Sequence, residues 1–182
     1  MPVQIGRKES DFSDPLGLLS DCHRRIEHFL DVLIRVCEKT KGGQLTADER
    51  AALEKALVYF RNSAPRHTAD EEESLFPRLR ESGQAQSSLE CLAELEKDHV
   101  AAARDHELVD TLGRRWLTSG ALEGGEVDQI RQALQRLSGT YTRHIAIEDQ
   151  QLYPLAGRVL QPEQLAEVGR EMAERRGVSV GA

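Results

Sequence analysis

Two eleven-residue phrases in this chain carry the same residue types at the same offsets, and two of those types are metal ligands. His67, Ala69, Glu71, Leu75, Phe76 and Pro77 stand at offsets 0, 2, 4, 8, 9 and 10. His144, Ala146, Glu148, Leu152, Tyr153 and Pro154 repeat every one of them. A further His precedes each copy on a separate amphipathic stretch: His23 lies 44 residues before His67, and His99 lies 45 before His144. On a helix, residues i and i+4 share one face about 6 Å apart along the axis. His67 with Glu71, and His144 with Glu148, can therefore each present an imidazole and a carboxylate to one cavity. A carboxylate has two oxygens and can bridge two cations, while imidazole nitrogen suits Fe, Zn or Cu. Four His and two Glu fit a pair of borderline ions, with two Fe ions the leading choice.

The expected partition puts His23 and His67 on one ion, His99 and His144 on the other, and Glu71 and Glu148 between them. With one oxo or hydroxo bridge from solvent, each ion would have five ligands. An octahedral preference would leave each an open position for O2, NO, peroxide or water. The set therefore reads as a reactive site rather than a closed structural one.

Helices must position these residues. Apolar residues recur at helical spacing in four long segments. The first runs from about Asp14 to Lys39 and is stopped by Gly42-Gly43. Thr46 and Glu49 read as a capping box that opens the second, which continues through His67 to about Glu81. Pro65 lies inside that segment and predicts a kink or break just before His67. The third runs from Ser87 or Ser88 to about Leu117, and the fourth from about Glu126 to Ala156. A short helix opened by Pro162 and closed before Gly177 follows. Short connections predict an all-α, antiparallel, up-down-up-down four-helix bundle over residues 13–160. A flexible segment over 1–12 is expected before it, with the short C-terminal helix and tail over 161–182. Bundles place metal sites between facing helices.

Composition agrees with this and removes alternatives. Charged residues make up 30% and aromatics 4%, which suits helices better than a sheet. A formal net charge of −7 argues against nucleic acid as a partner, since such binding needs a basic face. Cys22, Cys37 and Cys91 form an odd set without a C-x-x-C pair, so a disulfide framework is not expected and a reducing compartment is. No stretch approaches the ~18 apolar residues of a membrane span, and the first ten residues lack the apolar run of a signal peptide. The expectation is a cytoplasmic protein with no membrane association.

Single residues outside the repeated set read more plainly. His28 points to another face than His23, and His106, two turns past His99 on nearly the same face, reads as a packing residue, with support of a ligand or the lining of an entry path as the alternative. Leu75-Phe76-Pro77 and Leu152-Tyr153-Pro154 are expected to pack and to end their helices near one end of the bundle. Tyr141, one turn before His144, could hydrogen-bond it. Cys22 adjoins His23 but points about 100° away round the helix and is not read as a ligand.

The phrases Asp21-Cys-His23-Arg-Arg-Ile26-Glu, His67-x-x-x-Glu71-Glu72, Glu96-Lys-Asp-His99 and His144-x-x-x-Glu148-Asp149 resemble the hemerythrin-like (HHE cation-binding) family of four-helix di-iron proteins. The likeness runs from about Pro15 to Leu160. It implies a non-haem di-iron centre that binds or reacts with O2, NO or a related small oxidant. Two departures matter. Ala103 stands four after His99, where the O2-carrying members have a fifth His. Asp149 falls five after His144, the spacing of their bridging Asp, so it stays an alternative to Glu148. The four-His, two-Glu set looks closer to di-iron proteins implicated in repairing iron centres and handling nitric oxide. Three functions follow as alternatives: a carrier or scavenger of a diatomic ligand, an enzyme reducing NO or peroxide with a redox partner protein, and a metal-stabilised interaction module. A homodimer is compatible with each.

Overall fold

The computed structural model describes residues 9–84 and 86–179. Helix α1 spans Pro15–Thr40; the Asp14 carboxylate accepts from the Gly17 N–H, and Pro15 sits in the first turn, where its missing N–H costs nothing. Lys41 (φ 49°) and Gly42 (φ 76°) turn the chain in left-handed conformations. Glycine is needed at 42, because a Cβ there would come within 2.2 Å of the Val127 side chain.

Helix α2 (Ala47–Asn62) opens on the Thr46–Glu49 capping box that the sequence predicts. The helix breaks at Ser63 and resumes as α3 (Ala64–Ala69) with Pro65 in its first turn, the break expected before His67. A π-turn over Asp70–Leu75 follows, and then α4 (Phe76–Glu81). After α5 (Gln86–Ser119) and α6 (Gly124–Ile147), a second π-turn over Glu148–Leu152 leads into α7 (Tyr153–Val159). Helix α8 is Pro162–Glu174.

Packing joins α1 to α2 and α6, and α5 to α2 and α6, closing the antiparallel four-helix ring. The two tight turns meet at one end: the Trp116 indole N–H donates to the Gly43 carbonyl at 2.8 Å, and the Leu122 N–H to Gly42 at 2.8 Å.

The two π-turns correct one expectation. Leu75-Phe76-Pro77 and Leu152-Tyr153-Pro154 do pack, with all four non-proline side chains buried. They do not end their helices, which run on to Glu81 and Val159. Phe76 and Tyr153 instead donate their N–H five residues back, to the carbonyls of Glu71 and Glu148. The next residue in each case is proline, whose ring collides with the carbonyl four back in a regular α-helix. A widened turn relieves that clash and lets the helix continue.

Two apolar cores stack along the bundle. One contains Ile26, Leu30, Leu57, Trp116 and Leu137; the other contains Leu19, Phe76, Leu95, Leu152 and Met172. Between them lies a polar layer set by four-residue spacing, with His23 between Leu19 and Ile26 and His99 between Leu95 and Ala102.

Helix α8 buries Val168, Met172 and Ala173 against α1 and the first π-turn. Past its end, Arg176 and Arg175 pair with the fully buried Asp70 at 2.6 and 3.1 Å. Of the segment expected to be flexible, residues 1–8 lie outside the described residues. The part that follows touches the bundle: the Ser10 N–H donates to Asp21 at 2.6 Å, and the Phe12 carbonyl faces Gly169, where a Cβ would lie 2.0 Å from it. No helix among the described residues is long and apolar enough to cross a membrane.

Candidate metal centre

All six residues singled out in the sequence converge in the polar layer. Helices α1, α3, α5 and α6 supply His23, His67, His99 and His144, and the two π-turns supply Glu71 and Glu148. Both carboxylates are 0% exposed, and the most open of the imidazoles, His99, is only 9% exposed. Two overlapping groups could each hold a metal ion. His23, His67, Glu71 and Glu148 form one; His99, His144, Glu71 and Glu148 form the other, with the ligand atoms of each group all within 4.8 Å of one another. The rings pair in the same way, with centroids 4.9 Å apart for His23 and His67 and 4.7 Å for His99 and His144.

A fit to cations is visible in the atoms left over. Glu148 Oε2 lies 3.1 Å from Nε2 of both His23 and His144, and Glu71 Oε2 lies 3.2 Å from His99 Nε2 and 3.6 Å from His67 Nε2. Glu71 Oε2, both Glu148 oxygens and His99 Nε2 are nevertheless buried without a hydrogen-bond partner among the described residues. Buried polar atoms left unsatisfied are rare and costly. Cations seated among these oxygens and nitrogens would satisfy them, so the donor set suits a pair of ions.

A surrounding layer holds three of the imidazoles by their other nitrogen, and two of its three contacts cross between the two halves of the molecule. Glu72, next to Glu71, reaches Nδ1 of His99 at 2.8 Å. Asp149, next to Glu148, reaches Nδ1 of His23 at 3.1 Å and also accepts from Ser20. Asp149 is thus an orienting partner, while Glu148 faces both groups. Asp98 lies 3.3 Å from Nδ1 of His144. Sequence reading missed these orienting roles, although a signal exists: offset 5 of both repeated phrases is acidic.

Tyr153 was also missed. Its ring stacks on His23 at 5.4 Å, its hydroxyl donates to Glu71 Oε1, and the same hydroxyl lies 3.2 Å from His23 Nε2. The matching residue of the first phrase, Phe76, stacks on His99 at 6.3 Å and brings no hydroxyl.

In the metal-free protein, protons stand in for cations. Burial opposes charge on His23, but the Asp149 and Glu148 carboxylates outweigh it and lift the imidazole to about 10. Burial is likewise overcome at His99 by Glu71 and Glu72, which raise it to about 9. Burial would raise Glu148, yet His144 and His23 hold it down at about 2. His67, fully buried, is pushed by that burial to about 3.

A pH dependence follows. Raised folded-state values mean that His23 and His99 give the metal-free protein stability that is fully present below pH ~6.5, the usual His value, and lost as pH rises through 9 to 10. Metal must displace those protons, so loading metal-free protein near pH 7.5 is expected to release about two protons per chain. Titration of a redox-silent divalent ion into weakly buffered protein with a pH indicator measures this. Loading without proton release would refute the assignment.

An apolar cavity of about 430 Å³ opens between α2, α3 and α5, and His99 forms part of its wall. Phe60, Ala102 and His106 line it, and so does Ala103, the residue four after His99. His106 packs as expected, stacked on Phe60 at 4.4 Å, and it also receives Tyr141, whose hydroxyl lies 2.8 Å from its Nε2. Tyr141 thus serves His106 rather than His144. Burial lowers His106 to about 4, so the cavity wall is neutral there. His28 is exposed on another face, and Cys22 accepts from Arg25 at 3.2 Å.

Comparison with known proteins gives the same reading. A relative from Haemophilus influenzae, described as an uncharacterized protein, is 30% identical over 182 residues, spanning 98% of this chain and 99% of its own. Residues 14–156, which run from the cap of α1 into α7 and carry all six convergent residues, match the sequence model described as the hemerythrin HHE cation binding domain. The chain belongs to the hemerythrin HHE cation-binding family.

Proposed function

We propose that this protein holds two iron ions among His23, His67, Glu71, His99, His144 and Glu148, and that it binds or reacts with O2, NO or peroxide. The observation that carries the reading is the pair of overlapping His-His-Glu-Glu groups that share both carboxylates. Shared carboxylates would hold two cations side by side, and two imidazoles with two carboxylates would be too few donors to close an octahedral ion. When bound, such a pair of ions would supply electrons and adjacent open positions for a small ligand.

The protein's own residues do the rest. The two cores exclude water from both ends of the polar layer, and the orienting acids hold three of the imidazoles in one tautomer. The Tyr153 hydroxyl keeps a proton at Glu71 Oε1, since burial beside Glu148 and Glu71 raises its pKa well above the usual phenol value. The cavity against His99 favours an uncharged, apolar diatomic over a charged substrate.

Metal content and an absorption spectrum of protein from iron-supplemented cells test this. About two irons per chain, near-ultraviolet oxo-bridge bands, and a spectral change when reduced protein meets O2 or NO are expected. One zinc or no metal, unchanged in His67→Ala and His144→Ala, would refute the metal reading. A di-iron site inert to O2, NO and peroxide would leave the metal and remove the chemistry.

A further inference from the structure

The two halves of the centre look equivalent in their ligands, but they are not equivalent in what holds those ligands. Three imidazoles have a carboxylate at Nδ1: Asp149 on His23, Glu72 on His99 and Asp98 on His144. The fourth, His67, is buried and has no hydrogen-bond partner at Nδ1 among the described residues. The repeat shows where its partner is missing. Asp98 immediately precedes His99 and serves the His of the repeated phrase that follows, His144. The matching position before His23 is Cys22, and the matching phrase His is His67. A thiol therefore stands where the second half has a carboxylate, and its sulfur is engaged by Arg25 instead.

A carboxylate on Nδ1–H fixes the tautomer that leaves Nε2 free, orients the ring and makes the nitrogen a better donor; losing one costs roughly 10–100-fold in metal affinity. The His99/His144 group has this support on both imidazoles, and the His23/His67 group on one only. We infer that the two ions bind unequally and in order: the His99/His144 group fills first and holds its ion more tightly, while the His23/His67 ion is the exchangeable one, because His67 lacks the orienting carboxylate that the other three imidazoles have. This rests on the two-metal reading above and adds an order of loading to it. The protein then has a defined one-ion state, in which the ion sits against the cavity-lining His99 and the ring pair beside Tyr153 stays free.

Histidine side-chain 15N NMR of metal-free protein titrated with Zn(II) tests the order directly. With one equivalent, Nε2 of His99 and His144 is expected to shift while His23 and His67 keep their metal-free signals until the second. Competition against a colorimetric chelator should resolve two dissociation constants separated by roughly 10–100-fold. Cys22→Asp should tighten the weaker step toward the stronger, and Asp98→Ala should weaken the stronger step. All four His signals shifting together from the first addition, or His23 and His67 shifting first, would overturn the inference while leaving the two-metal reading intact. So would a Cys22→Asp protein that folds, by its circular dichroism, and leaves the weaker step unchanged. Wild-type protein that binds no Zn(II) and carries no iron would overturn both.

Discussion

Glu148→Ala is expected to lose both metal ions, whereas His67→Ala or His144→Ala should lose chiefly one. The reason is where each residue sits. Glu148 and Glu71 belong to both candidate groups, and each His belongs to one. Removing a shared carboxylate takes a negative donor from both cations and leaves two imidazoles and one carboxylate for each. It also brings two buried cations together without the charge that separates them, a repulsion that low-dielectric surroundings amplify. Glu71→Ala should behave like Glu148→Ala, so the pattern across variants matters more than any single loss. Metal analysis after dialysis reads it: near zero for either Glu variant and near one for either His variant, against about two for the parent.

The thermal consequence is large because metal binds only the folded chain. A site filled at a hundredfold over its dissociation constant adds about 2.7 kcal/mol to stability. Two filled sites add roughly 5 kcal/mol, and in a chain of this size each kcal/mol moves Tm by roughly 2–4 °C. Glu148→Ala should therefore melt roughly 10–20 °C below loaded parent protein while matching metal-free parent more closely. Equal losses from Glu and His variants would show that the carboxylates are not shared and that the two groups act as separate sites.

The chain displays its candidate ligands openly and hides their supports. His67, Glu71, His144 and Glu148 are legible because core packing alone gives no reason for His and Glu to recur together at i, i+4 on two amphipathic helices. The break at Pro65 is legible because a missing N–H has a fixed local cost. The π-turns are not, since the same residues read equally well as a continuous α-helix. Only the proline ring one residue past each turn, acting on the carbonyl four back, hints at the widening. Asp98 and Glu72 look like surface charges in a chain with 30% charged residues; the role of Asp98 appears only when α5 lies beside α6, and that of Glu72 only when the first π-turn lies beside α5. Tyr153 is hidden in another way: in the repeat it is simply the aromatic counterpart of Phe76. Its hydroxyl acquires meaning from Glu71, 82 residues away in sequence. Long-range pairing across the bundle creates these roles, and the local pattern carries only the acidic residue at offset 5 of each phrase as a trace of it.

Asp70→Ala is expected to destabilise the metal-free protein by about 3–5 kcal/mol, the cost of breaking a buried ion pair by removing one partner. Asp70 is 0% exposed, opens the first π-turn and is the residue immediately before Glu71. Arg176 meets it at 2.6 Å and Arg175 at 3.1 Å, from the end of α8. Arg175 also reaches Ser74 at 2.8 Å within the same turn, while Arg78 binds Glu171 on α8 at 2.8 Å. Helix α8 is therefore a brace on the element that carries Glu71, and Asp70 is its buried anchor. Both arginines are about 20% exposed; some of their charge can return to water, which puts the expectation at the lower end of the range. A π-turn released from α8 should also place Glu71 less firmly, so metal loading should tighten the protein less than it does in the parent. Melting curves with and without metal separate the two effects. A fall of less than about 1 kcal/mol, the worth of an exposed pair, would mean that α8 packs on the turn through Val168 and Met172 alone. A full loss of stability with unchanged metal affinity would mean that the brace supports the fold and leaves the centre untouched.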